Sequence, residues 1–330
     1  MKLKCNAVFS GGGVKGVGFA GAVTAFENAG YSFQSVAGVS VGAIVASLIA
    51  AGYSADELNK EVQKIEYTKF LRKGFFSGFG KIGKLINSSI FYGLYKSDYF
   101  EHWLTKLLDA KGKRTFGDIK IPYPTDNVKY KFQAIAMDIT DENMLILPDD
   151  ISKFGVDPDS FPIAKAVRMS MSLPLYFEPY TLKLNSHTHV IVDGGLLSSY
   201  PIWLFDSCQA PSIPTFGFKV SDFTSPEAKH LEGQPKPGNF IKYSEAIIST
   251  LARAHDKRYI SESPGDAQRS IVIPTTVKTS SGVKKITTTY FKITSEESLA
   301  LYNNGKKAAE TFLSQWNFDN WKNAYYPNRL

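Results

Sequence analysis

Three short runs of the sequence frame a reactive side chain with glycine: "SGGGVKG" at 10–16, "GVSVG" at 38–42 and "DGG" at 193–195. In the second, Ser40 stands between the apolar runs 36–39 and 41–48. Gly-x-Ser-x-Gly between a strand and a helix is a nucleophile elbow. Gly38 and Gly42 permit a turn too tight for side chains, and the turn lifts the hydroxyl clear of the sheet edge. It then sits at a helix N-terminus, where backbone N–H groups and the dipole favour negative charge. A plain turn also favours Gly and Ser. The apolar strand before Ser40 and the Ala-rich segment after it favour the nucleophile.

The first run exposes the successive N–H groups of Gly11, Gly12 and Gly13, which no side chain shields, and such a loop can hold an oxyanion. Gly11, Gly13 and Gly16 also satisfy the dinucleotide fingerprint. That fingerprint expects an acidic residue at the end of the second strand, and this strand ends in "AGVS". No Gly-Lys-Ser/Thr follows either, so nucleotide binding is disfavoured. In the third run, Asp193 ends the apolar stretch "HVIVD" and is followed by Gly194 and Gly195. Asp-Gly is ordinary turn chemistry. A carboxylate held directly against a serine hydroxyl can also act as its general base without an imidazole, provided its surroundings raise its pKa. The histidines are the alternative bases. His187 and His189 alternate along one strand and either reach the site or line the sheet. His102 and His255 fall on amphipathic helices and His230 in a polar insertion, so structural roles are favoured for all five. No His/Cys/Asp group has zinc spacing, and no metal is expected.

These runs need elements to carry them. The pattern predicts strands at 4–9 and 35–39, helices at 15–28 and from Ser40 to Gly52, and a helix started by the capping box "SADE" at 54–57. Further on it predicts a helix at 97–108, paired strands at 129–140 and 143–148, a helix at 162–172 and strands at 187–195 and 214–220. A Pro/Gly-rich surface insertion at 222–239, a helix at 240–260, strands at 270–276 and 284–293 and a helix at 295–315 complete the chain. With no repeat and no linker, helices alternating with strands predict one α/β domain over 1–330, its core at 5–205 and its completion at 206–330.

Apolar content of 43% and charged content of 21% exclude wholesale disorder. The net charge of +7 is concentrated between Lys60 and Lys131, where 15 Lys and Arg face 7 Asp and Glu. Within it, 69–96 interleaves basic with aromatic residues and contains no acid. That composition suits an anionic phospholipid surface, with a solvated loop and nucleic acid as the competing readings. Only Cys5 and Cys208 are present, and the longest apolar stretch, Val39–Ala51, is shorter than the ~20 residues a membrane span needs. The expectation is a cytoplasmic protein with peripheral membrane association and no nucleic-acid partner.

Taken together and in order, the three runs resemble the patatin-like phospholipase family, as does a fourth block, "AVRMSMSLPLYFEP" at 166–179. The resemblance covers 5–205. It implies a three-layer α/β/α sheet fold that hydrolyses fatty-acyl esters of lipids without a cofactor. Ser40 would be the nucleophile, Asp193 the base, and Gly11, Gly12 and Gly13 the oxyanion hole, with Lys15 at the family's basic position beside it. Many members carry Asn where this chain has Ser199, which leaves open how the turn after Asp193 is braced. Arg168 could meet a lipid phosphate or hold a structural ion pair. Rival readings are an esterase or acyltransferase with the same dyad, a non-catalytic nucleotide-binding module, and an effector lipase silent until a partner or ligand activates it.

Overall fold

The computed structural model describes residues 2–70, 72–73, 93–96, 98–125, 128–207, 210–221, 250 and 265–326. The insertion at 222–239, nearly all of the helix expected at 240–260, and most of the basic-aromatic window lie outside the described residues, as do His230, His255 and Cys208.

The first half alternates strand and helix as the apolar pattern requires: β1 (Leu3–Phe9), α1 (Val17–Asn28), β2 (Tyr31–Val39), α2 (Val41–Ala50) and α3 (Ala55–Gln63). The start of α3 is fixed by its capping box, in which Glu57 N–H donates to Ser54 Oγ and Ser54 N–H to Glu57 Oε2. Two short strands from the ends of the basic-aromatic window, β3 (Arg72–Lys73) and β4 (Gly93–Lys96), precede α4 (Asp98–Ala110). Next come β5 (Lys120–Thr125), β6 (Val128–Tyr130), β7 (Phe132–Asp138), β8 (Asn143–Leu147) and α5 (Ile163–Ser170). After α5 the chain forms β9 (Leu175–Phe177), β10 (Tyr180–Leu184), β11 (His187–Asp193) and β12 (Thr215–Ser221). It ends with β13 (Ser270–Pro274), β14 (Thr276–Thr279), β15 (Gly282–Lys285), α6 (Ser295–Leu313) and α7 (Phe318–Tyr325).

The fold is α/β, a central mixed sheet flanked by helices. β7, β2, β1, β12 and β13 run parallel in that spatial order, and β8 lies antiparallel on the outer edge of β7. The pairing of β7 is what positions the site. Its residues 134–138 bond β8 along one edge, so its other partners must share the opposite edge. β2 climbs that edge until Val39 lies opposite Ile135, and β11 descends it until Asp193 lies opposite Ala136. Two strands far apart in sequence therefore meet end to end on adjacent positions of one neighbour.

One face of the sheet carries the main core. Phe9 stacks on Phe218 at 4.8 Å, and Phe26 of α1 meets Phe216 and Phe218 edge-on at 5.0 Å. Phe312 of α6 closes on Phe216 at 5.6 Å. Phe9, Phe26, Phe216 and Phe218 are fully buried, and each contributes on the order of 2 kcal/mol through the apolar area it removes from water. The other face carries a smaller apolar patch of Val8, Ala37, Val39, Ile135 and Leu204, against which Trp203 and Phe205 pack. Beyond residue 206, β12 pairs with β1, and α6 packs on α1.

One expectation is corrected. The run "KKITTTYFKI" was expected to be a strand over 284–293, but only Gly282–Lys285 is extended, as β15. The residues after it turn, with Tyr290 N–H donating to the Thr287 carbonyl and Phe291 N–H to the Thr289 carbonyl. Alternating Thr and aromatic residues carry the period of a strand. Here, though, the Thr288 carbonyl accepts from Val14 N–H at 3.2 Å, tying the segment to the Gly-rich loop in place of a sheet.

Candidate active site

Ser40 occupies the turn between β2 and α2 with φ 55° and ψ −124°, a region L side chains rarely adopt. Holding a non-glycine residue there costs on the order of 1–3 kcal/mol, which the surrounding structure must impose. The flanking glycines show how. A Cβ on Gly38 would overlap the carbonyl of Gly42, and one on Gly42 would lie 2.6 Å from the Ser10 carbonyl oxygen. The elbow is therefore packed backbone to backbone against the end of β1, and only glycine fits on either side of the serine.

The same contact brings in the first run. β1 ends at Phe9, and the chain passes Ser40 so closely that a Cβ on Gly11 would stand 3.7 Å from the Ser40 Cβ. A 3₁₀ turn over Gly13–Gly16 follows and packs on Val41. The three glycines are not equivalent. Gly11 N–H donates to the Ser199 carbonyl at 2.9 Å, which removes it as a free donor and narrows the expectation of three oxyanion amides. Gly12 and Gly13 precede the first bonded amides of the turn, and among the described residues neither N–H has an acceptor. Lys15 lies buried within the turn.

Asp193 reaches the elbow from the opposite direction, at the end of β11. Gly194 behind it must be glycine, since a Cβ would lie 2.5 Å from the Ile135 carbonyl oxygen of β7. The Asp193 carboxyl is buried, its Oδ1 accepts from Gly195 N–H at 2.8 Å, and the Ser40 hydroxyl is its side-chain partner. Burial pushes its pKa up to about 6, against the opposing pull of the Gly195 N–H and the Ser40 hydroxyl, both of which favour the charged form. The turn that the Ser199 substitution left open is braced by main chain, with Leu197 and Ser198 N–H both donating to the Gly194 carbonyl.

No described histidine bonds either residue. His189 is buried, with Nδ1 2.9 Å from Asp138 Oδ2, edge-on to Phe154. His187 and His102 are exposed. Asp138, Asp141 and His189 offer three ligand atoms within 4.8 Å of one another, the group best able to take a cation among the described residues. No sequence spacing announced it, because its members come from β7, the turn after it, and β11. The His189–Asp138 hydrogen bond accounts for the arrangement without an ion.

Arg168 stands in α5, one turn before the Leu173–Pro174 break. Its Nη1 lies 3.4 Å from Glu101 Oε2 and its Nη2 3.9 Å from Asp98 Oδ1, and the guanidinium packs over the Tyr180 ring at 5.0 Å. Its charge is opposed within the fold by these two carboxylates, which is the arrangement of a structural ion pair. The described parts of the basic-aromatic window are its ends. Lys69 pairs with Glu66, and β3, β4 and β9 form a small sheet. Among the described residues, no helix is long and apolar enough to cross a membrane.

Two residues that sequence reasoning did not single out also touch the site. Ser170 Oγ accepts from Ser40 N–H at 2.9 Å, and the Ser172 carbonyl accepts from Asp193 N–H at 3.0 Å. The only signal for them was their place in the fourth block.

The chain is similar to several known proteins. A protein of Bacillus subtilis (strain 168), YqhO, described as uncharacterized, is 38% identical over 317 residues, covering 95% of this chain and 99% of its own. An uncharacterized protein of Acanthamoeba polyphaga mimivirus is 28% identical over 279 residues, covering 81% of this chain and 82% of its own. Among solved structures, VipD from Legionella pneumophila superposes with a TM-score of 0.52 at 15% identity, over 95% of this chain and 67% of that one. The type III effector protein ExoU superposes with a TM-score of 0.50 at 14% identity, over 95% of this chain but only 53% of that one. At such identities these two report the fold. The model of the Patatin-like phospholipase family matches residues 7–206, which hold the Gly-rich loop, the elbow and Asp193, and the chain belongs to that family.

Proposed function

We propose that this protein hydrolyses fatty-acyl esters of phospholipids through a Ser40–Asp193 dyad. The observation that carries the reading is the meeting of a strained serine and a buried carboxyl of raised pKa, with no imidazole between them. Family membership supports lipid-ester hydrolysis in general, and the dyad gives it a mechanism. Asp193, ionised above about pH 6, takes the Ser40 proton as Oγ forms a bond to the ester carbonyl carbon. The carbonyl oxygen gains the negative charge, which the Gly12 and Gly13 amides and the N-terminus of α2 are placed to stabilise. As the C–O bond to the alcohol breaks, the leaving oxygen takes the proton from Asp193. Water then attacks the acyl-enzyme with the same base, releasing the fatty acid and restoring Ser40.

The site of action is a membrane surface reached through the basic-aromatic window 69–96, whose lysines and single arginine would meet anionic headgroups. Product analysis with mixed phospholipid vesicles tests the reading. Fatty acid and lysophospholipid appearing together support it. Turnover confined to soluble esters or to acyl-CoA would instead favour an esterase or acyltransferase using the same dyad. Co-sedimentation with anionic vesicles tests the docking surface: binding should weaken as salt rises, and binding indifferent to salt and lipid charge would refute it.

A further inference from the structure

We infer that Ser170 is a positioning residue for the Ser40 nucleophile, and that the turn closing α5 sets the distance between nucleophile and base. The inference rests on the reading of Ser40 as nucleophile and adds a group that lies outside the elbow, the Gly-rich loop and the Asp-Gly-Gly turn.

The Ser40 amide falls in a gap between two hydrogen-bonding systems. The ladder of β2 on β7 ends with Val39 opposite Ile135, and the bonds of α2 begin with Ala43 N–H donating to the Ser40 carbonyl at 2.9 Å. A part-buried N–H in such a gap needs an acceptor from elsewhere. Ser170 Oγ supplies it at 2.9 Å from 130 positions along the chain, and Ser170 is wholly buried. A buried helical serine ordinarily bonds back to its own helix. Two neighbours do so here: Ser172 Oγ donates to the Arg168 carbonyl at 2.9 Å, and Ser47 Oγ to the Ile44 carbonyl at 2.8 Å. Ser170 instead directs its oxygen at the strained residue of the elbow.

The other half of the dyad is held by the same turn, through Asp193 N–H on the Ser172 carbonyl. Ser170 and Ser172 thus grip the backbone amides of nucleophile and base two residues apart. The grip is itself anchored, because Met171 N–H closes α5 on the Val167 carbonyl at 2.9 Å and Arg168 fixes the helix to Glu101 of α4. Without Ser170 Oγ, the Ser40 N–H is left without its acceptor and the positive φ loses a support. The hydroxyl then drifts from Asp193, and a small misplacement of a reacting atom slows chemistry more than it weakens substrate binding.

The test compares the full chain carrying Ser170→Ala with the wild type and with Ser47→Ala, which removes an equally buried hydroxyl from α2. With p-nitrophenyl butyrate as substrate, Ser170→Ala should lower kcat about tenfold, the order expected from one lost hydrogen bond, with KM within about twofold. The midpoint of its kcat/KM–pH profile should move above that of the wild type, because the Ser40 hydroxyl no longer supports the Asp193 carboxylate. Ser47→Ala should leave kcat and midpoint unchanged. A Ser170→Ala enzyme with wild-type kcat and midpoint overturns the inference, as does a Ser47→Ala enzyme showing the same losses. A crystal structure of Ser170→Ala decides the matter without substrate: φ at Ser40 leaving the positive region supports it, and an elbow unchanged in φ and in its contact with Asp193 overturns it. A wild type that cleaves no ester would defeat the proposed function, while the crystal structure would still judge Ser170.

Discussion

Asp193→Asn exchanges a buried carboxyl for an amide of nearly the same shape. Its Oδ1 can still accept from Gly195 N–H, and its Nδ2 can donate to Ser40 Oγ. What changes is the cost of carrying a charge out of water. The Asp193 pKa stands at about 6, against an ordinary value of 3.8, because burial outweighs the two hydrogen bonds that favour the anion. An acid whose pKa is raised by folding stabilises the fold below its unfolded pKa, and that contribution is lost as pH rises through the folded value. At 1.36 kcal/mol for each pH unit, the raised pKa costs the native state about 3 kcal/mol at pH 8 and about 1.5 kcal/mol at pH 5. The Asn variant escapes that cost at both values. Urea unfolding of wild type and variant at pH 5 and pH 8 reads the difference directly. The variant's advantage should be larger at pH 8 by about 1.5 kcal/mol, whatever constant offset the amide introduces. An advantage that does not change between the two values, or that shrinks as pH rises, would refute the burial argument.

Three further predictions follow from the same contacts. The kcat/KM of the wild type should rise with pH through about 6, as Asp193 loses its proton and becomes a base; a profile flat from pH 5 to pH 8 would remove it from that role. Gly38→Ala should abolish activity and cost about 3 kcal/mol in urea unfolding, because the new methyl meets the backbone of Gly42 and Ala43 with no flexible side chain to yield. Arg269→Met should destabilise the fold by about 3–5 kcal/mol, because buried Asp266 would lose both of its guanidinium bonds; thermal melting beside the wild type would show it.

The parts of the site that could be read from sequence are those where backbone geometry demands a residue type. Gly38, Gly42 and Gly194 face backbone atoms too close for any side chain, and so Ser40 and Asp193 stood out between them. The capping box at Ser54 and Glu57 was legible for a similar reason, being local in sequence. What could not be read is what depends on register. Nothing in "HVIVDGG" says that β11 will stop opposite Ala136, one position beyond the end of β2. Nor does "RMSMSLP" say which serine turns to the elbow and which bonds back to its own helix. The Arg168 pair and the His189–Asp138 pair were hidden likewise, since each joins elements that only the fold brings together. The stretch 284–293 misled because its alternation is that of a strand, while its partner is the Gly-rich loop.

The central claim is that Ser40 and Asp193 together cleave an acyl ester. Release of fatty acid from mixed phospholipid vesicles by the wild type, Ser40→Ala and Asp193→Asn tests it most directly, with each variant shown to be folded by circular dichroism. The account predicts release by the wild type and none above background from either variant, even though the Asn variant escapes the cost of a buried charge. A folded Ser40→Ala that still releases fatty acid would contradict the nucleophile, and a folded Asp193→Asn with wild-type rates would contradict the base.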